Sequence, residues 1–173
     1  MPYVGSYIWK IRQKIGHDLL VMPCVEVVAV RDGKILMVYN KDFESWAMPS
    51  GYVEDDGASW RENAARELFE EGGIEVDPKK MKLFATSSGL RLTYGSGDKT
   101  IVYVNFFVVD EFIGETEALD EAEVSEKGWF TIEEVEELKL APGAKVVLPA
   151  YRKYLETGEV QIVEVDVEGN VKL

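Results

Sequence analysis

The chain has 173 residues, enough for one ordinary domain with a proper core, and its hydrophobic fraction of 46% is that of a soluble globular protein. Its 32 acidic against 19 basic residues give a net charge of −13 with no Lys/Arg-rich run, which disfavours a polyanionic nucleic-acid partner. Cys24 is the only cysteine and His17 the only histidine, which excludes an intrachain disulfide and a Cys/His zinc centre and leaves little room for a Ser-His-Asp triad. Small phosphates remain admissible, because local ion and arginine contacts can hold a magnesium-complexed polyphosphate where the distant field is screened over about 8 Å. No apolar run approaches the length of a membrane span and no signal-peptide-like segment opens the sequence, so no membrane association and a cytoplasmic location are expected.

In chain order, Ser6 to Gly16 reads as a helix with Ile8, Ile11 and Ile15 spaced to dock on the domain. Cys24 to Val30 and Lys34 to Tyr39 read as strands about an Asp32-Gly33 hairpin turn, with Cys24 a buried reduced thiol and His17 structural. Residues 40 to 47 read as a loop. Its Phe43 and Trp46 admit two roles, anchoring the loop to the core or stacking on a substrate base.

The next stretch, Gly51 to Ile74, crowds acids between glycine-rich ends. Ser59 with Glu62 forms a capping-box pattern, so a helix is expected from Trp60 to the Gly72-Gly73 stop. Spacings of three and four put Glu67, Glu70 and Glu71 on one side of that helix, with Ala64, Ala65 and Leu68 towards the other and able to pack on a sheet. Such like charges repel, by roughly a few tenths of a kcal/mol per pair, and a hard divalent cation is the natural compensation. A glutamate-rich face is also what an ordinary solvated helix shows.

Beyond it, Lys82 to Thr93 and Thr100 to Val109 read as long strands, the second with apolar residues on both faces as in a central strand. The acidic stretch Glu115 to Glu126 reads as a mobile loop. Trp129-Phe130 ends a strand, and Thr131 with Glu134 caps a helix to about Leu138. A further helix runs from Lys145 to Leu155, ending near Gly158, with Val147, Tyr151 and Tyr154 inward. Residues 160 to 173 read as a terminal hairpin about Glu168-Gly169-Asn170, either pairing across a homodimer interface or folding back on its own sheet.

Arg66-Glu67-Leu68-Phe69-Glu70-Glu71-Gly72-Gly73-Ile74 fits all seven specified positions of REUxEExGU, and Trp46-Ala47-Met48-Pro49-Ser50-Gly51 is similar to a W-x-x-P-G-G lead-in. On these motifs the chain resembles the Nudix hydrolases, MutT-like, over roughly residues 22 to 157 of a single domain, with the helix 6–16 and the hairpin 160–173 as additions. The first half of the box departs from the pattern. Counting back from Arg66 puts Ala58 at the first glutamate and Tyr52 at the glycine, so Gly51 is one residue early and the Val53 to Gly57 loop carries an insertion.

The resemblance implies an α/β fold, a mixed β-sheet in an α/β/α sandwich, and Mg²⁺- or Mn²⁺-dependent hydrolysis of a pyrophosphate bond in a small nucleoside diphosphate-X substrate. It implies that Gly51 (through its carbonyl), Glu67, Glu70 and Glu71 hold metal, and that Arg66, Glu67 and Glu70 are catalytic, with the identity of the general base open. Arg66 either orients Glu67 or Glu70, or makes an ordinary helix ion pair to Glu62 or Glu70. Glu117, Glu121 and Glu123 are candidates for an additional acid, and Phe43, Trp46 and Tyr94 for stacking on substrate. Ala58 and the lengthened loop keep a second hypothesis in view, a Nudix-fold nucleotide-binding or regulatory module.

Overall fold

A computed structural model describes residues 4–117, 120 and 122–173. Helix α1 (Tyr7–Ile15) is capped by the Ser6 hydroxyl, which accepts from Trp9 N–H. Strands β1 (Leu20–Arg31) and β2 (Lys34–Asn40) follow, joined through Asp32 and Gly33, both at positive φ, as a tight hairpin turn requires. Short strands β3 (Ser45–Ala47) and β4 (Ser50–Tyr52) lead into α2 (Trp60–Gly72) and β5 (Ile74–Glu75). After them come β6 (Lys82–Thr93), β7 (Lys99–Val109), β8 (Gly114–Glu115), β9 (Val124–Phe130), α3 (Ile132–Glu136), α4 (Pro142–Thr157), β10 (Gln161–Val165) and β11 (Val171–Lys172).

The main sheet runs β11-β10-β6-β7-β1-β2-β3, with β4 on β1 and β9 on β2. It is mixed: β1 pairs parallel with β7 and antiparallel with β4, while β6 pairs antiparallel with β7 and parallel with β10. Alternation along β1 divides the core. Val25, Val27 and Ala29 face one side with Leu68 and Ala64 of α2, and Met22 and Val28 face the other with Val147 and Tyr151 of α4. Phe84 of β6 closes that second side, its ring 5.3 Å from Tyr151 and 5.6 Å from Tyr154.

Four local expectations change. Residues 40 to 47 include β3, which pairs with the end of β2, because Trp46 is held between Tyr39 and Phe130. The acidic stretch is structured at both ends, where β8 pairs with β5 and β9 with β2, and Val124 is buried. Strand β7 is covered on both faces only towards its C-terminal end, since α2 lies over Phe107 and Val109 and leaves Tyr103 51% exposed. Helix α4 begins at Pro142, a position where the missing N–H of proline costs no helical hydrogen bond. The terminal hairpin folds back on its own sheet, β10 adding to β6 and β11 to β10. No helix among the described residues is long and apolar enough to cross a membrane.

Candidate active site

Helix α2 is fixed at both ends by its own sequence. The Ser59 hydroxyl accepts from Glu62 N–H and the Glu62 carboxylate accepts from Ser59 N–H, a complete capping box. At the other end Gly73 takes a left-handed conformation (φ 70°), and a Cβ there would overlap the Thr116 carbonyl oxygen. The Lys127 ammonium donates to the Gly72 and Thr116 carbonyls, placing a cation at the negative end of the helix dipole.

Because α2 is pinned, its glutamates have defined positions. Glu67 is 6% exposed and Glu71 only 2%, whereas the Glu70 side chain is part exposed. Arg66 forks between the first two acids of the motif: one Nη lies 2.6 Å from Glu67 Oε1 and donates to the Tyr52 carbonyl, and the other donates to Glu70 Oε2 at 2.7 Å. Of the two roles open for Arg66, orientation of the glutamates is thus the one its geometry serves, and Glu62 is committed to the cap. The Glu71 carboxylate accepts from Ser50 N–H at 2.8 Å. Gly51 stands against Glu67 so closely that a Cβ would overlap its carboxyl group.

Burial dominates the electrostatics. It pushes the Glu67 carboxyl up to about 8 despite Arg66, with the neighbouring charges of Glu70 and Glu123 adding to the rise. Burial, then the charge of Glu67, raises Glu71 well above the usual carboxylate range, and burial raises Glu123 as well. Among the described residues no group of three His, Cys, Asp or Glu side chains stands as a preformed metal cage, since Arg66 and Ser50 hold these carboxylates. The donor set nevertheless fits a hard cation: buried carboxylate oxygens that raise one another's proton affinity are the ligands a divalent oxygen-seeking ion compensates.

These glutamates line a cavity of about 520 Å³, within the range of small-molecule sites. Gly51, Arg66, Phe43, Tyr94 and Glu123 line it with them. The Phe43 and Tyr94 rings are 5.2 Å apart, and the Tyr94 hydroxyl is 2.5 Å from that of Tyr52. Trp46 does not line the cavity, because its ring is packed between Tyr39 and Phe130. Of the additional acids, Glu123 is at the cavity, Glu117 is exposed away from it, and Glu121 lies outside the described residues. Sequence reasoning missed Asp120, whose N–H donates to the Glu70 carbonyl, and Glu26 of β1, which is 3% exposed and lines the cavity. A lone acid between Val25 and Val27 in an otherwise apolar strand was the available signal for Glu26.

A mixed sheet between helices, with a carboxylate cluster on one helix opening into a cavity, defines an α/β protein with a candidate active site at that helix. The chain belongs to the Nudix family: the family model for the NUDIX domain matches residues 21–151. A relative from Bacillus subtilis (strain 168), named "Putative ADP-ribose pyrophosphatase YjhB", is 37% identical over 51 residues, 30% of this chain and 24% of that protein's length. The solution structure of the E. coli ORF135 protein superposes with a TM-score of 0.57 at 27% identity, covering 79% of this chain and 92% of that one. The MutT protein structure from Bacillus halodurans gives 0.61 at 19% identity, over 88% and 95% of the two chains, a likeness of fold.

Proposed function

We propose that the protein is a pyrophosphohydrolase that cleaves nucleoside diphosphate-X compounds in a Mg²⁺- or Mn²⁺-dependent reaction. One observation carries this reading: Glu67 and Glu71 are buried side by side at a cavity, with Arg66 linking Glu67 to Glu70. Two buried, mutually repelling carboxylates weaken a fold unless they serve a ligand. Nudix hydrolases generally use divalent metals, and such an ion offsets charge on bridging phosphates and lowers the pKa of a coordinated water.

Glu67, Glu70, Glu71 and the Gly51 carbonyl are the proposed ligands. One of the three glutamates accepts the proton of the attacking water, and Arg66 acts by holding Glu67 and Glu70 in place. Glu123 supplies a further acid at the rim, while Phe43 and Tyr94 offer aromatic faces to a base. The proposed substrate class comprises ADP-ribose, nucleoside triphosphates, nucleotide sugars and dinucleotides, and the name of the B. subtilis relative supports including ADP-ribose among them.

Incubation with Mg²⁺ and that panel tests the proposal. Phosphate-bearing products are expected. Thermal stabilisation by a nucleotide without any product would instead favour the binding-module reading that Ala58 motivates.

A further inference from the structure

We propose that Glu26 is the residue that selects the nucleobase, its carboxyl group deep in the cavity accepting a hydrogen bond from an exocyclic amino group. The inference rests on the nucleotide reading above.

Glu26 sits on the face of β1 that carries Met22 and Val28, where the strand pattern calls for an apolar residue. Its side chain is 3% exposed and its Oε1 has no hydrogen-bond partner. Buried polar groups in native proteins are almost always paired, and leaving one unpaired costs stability, so an orphan on a cavity-lining side chain points to a ligand that completes it. Leu90, Leu92, Val102 and Val104 line the cavity with Glu26, alongside polar residues that include Ser50 and Glu71. Helix α4 approaches from the other side, and it does so through Gly143. A Cβ at that position would stand 2.9 Å from Glu26 Oε2. An apolar stretch of wall beside a buried carboxyl suits a flat heterocycle presenting an N–H edge.

A carboxylate only accepts hydrogen bonds, whereas a protonated carboxyl also donates one, so the preference for an amino edge is strongest when Glu26 is ionised. Adenine, guanine and cytosine carry an amino group that can donate to it. Hypoxanthine and uracil present a carbonyl oxygen at the corresponding ring position of adenine and cytosine, and that oxygen cannot donate. Sites that hydrogen-bond a substrate N–H discriminate strongly against analogues lacking it, because the partner is left buried and unpaired. Glu26 is a specificity residue here, and Glu67, Glu70 and Glu71 keep the metal.

The test is isothermal titration of the full chain with AMP and with IMP, a measurement that needs no hydrolysis. Wild type is expected to bind AMP at least about tenfold more tightly than IMP. Glu26→Leu should bring that ratio close to one, whereas Glu26→Gln, which keeps a carbonyl acceptor, should retain most of it. Without nucleotide, Glu26→Leu should melt at or above the wild-type temperature, since the orphan carboxyl is gone, and its stabilisation by Mg²⁺ should be unchanged. Equal affinities in the wild type, no binding of either nucleotide, or a ratio unaffected by Glu26→Leu would overturn the proposal. So would a Leu variant that melts well below wild type or loses the Mg²⁺ effect, because the carboxyl would then be structural or a metal ligand. Base selection without hydrolysis products would leave this inference standing and remove the hydrolase reading; products without base selection would do the reverse.

Discussion

Gly51 touches Glu67: the one position in β4 without a side chain is the position where any side chain would overlap the Glu67 carboxyl group. Gly51 is not at positive φ, so alanine is compatible with its backbone and the effect of Gly51→Ala falls on the carboxylate. We expect Gly51→Ala to fold with unchanged far-UV circular dichroism and to lose about a hundredfold in kcat/KM, the cost of moving a reactive group by about 1 Å. Normal turnover would mean that the position of Glu67 is not critical.

Arg66 spans Glu67, Glu70 and the Tyr52 carbonyl with its two terminal nitrogens. A lysine has one nitrogen and cannot reproduce that fork. Arg66→Lys should therefore lower kcat about tenfold or more while leaving KM for substrate nearly unchanged, as befits a residue that aims the glutamates. A rise in KM alone would reassign Arg66 to substrate binding.

Without metal, stability should fall as pH rises from about 5 to 8. Glu26 and Glu67 are held up to about 8 in the folded chain against an ordinary value of 4.5, and burial with the charge of Glu67 raises Glu71 well above that ordinary value too. Between those limits the unfolded chain has lost these protons and the folded chain keeps them, so each group removes about 1.4 kcal/mol per pH unit. Melting curves in chelator at pH 5.5 and 7.5 check this, with the lower pH expected to give the higher melting temperature. Mg²⁺ or Mn²⁺ should narrow the difference by favouring the ionised forms at pH 7.5, and should do so much less in the Glu67→Gln/Glu71→Gln double variant.

Ala58 stands where the family pattern has a glutamate, and it precedes the Ser59 cap, about 13 Å along a helix axis from Glu67. Ala58→Glu should change the rate by less than about tenfold, which is 1.4 kcal/mol in barrier. The neighbouring loop acids have partners of their own: Glu54 lines the cavity but accepts from Tyr7 N–H, Asp55 pairs with Lys10, and Asp56 accepts from Ala58 N–H. Glu54 in effect caps α1. Glu54→Ala should thus cost about 1 kcal/mol in urea denaturation, with little change in the metal concentration needed for activity. A large shift in metal requirement would make Glu54 the missing ligand.

Local chemistry was legible in the sequence. The Ser59/Glu62 box and Gly73 set the ends of α2, Asp32-Gly33 set the β1–β2 turn, and the spacing of Glu67, Glu70 and Glu71 brought them to one cavity. What depends on distant partners was not legible. Trp46 reads in sequence as a stacking candidate, but Phe130, far along the chain, packs on its ring. The acidic stretch looked unstructured because β8 and β9 are defined by what β5 and β2 offer them. Glu26 is one polar letter in an apolar strand, and only the cavity formed with β6, β7 and α4 gives it meaning.

The most direct test of the central claim is turnover of the nucleoside diphosphate panel with Mg²⁺ by wild type and by Glu71→Gln, measured side by side. Glutamine keeps an oxygen to accept from Ser50 N–H, so the fold should survive and the melting temperature should hold or rise. Wild type should give phosphate-bearing products, and Glu71→Gln should lose at least about a hundredfold in rate, or about 2.7 kcal/mol in barrier. Equal hydrolysis by the two proteins would contradict the central claim, because the reaction would then not run through the carboxylates of α2.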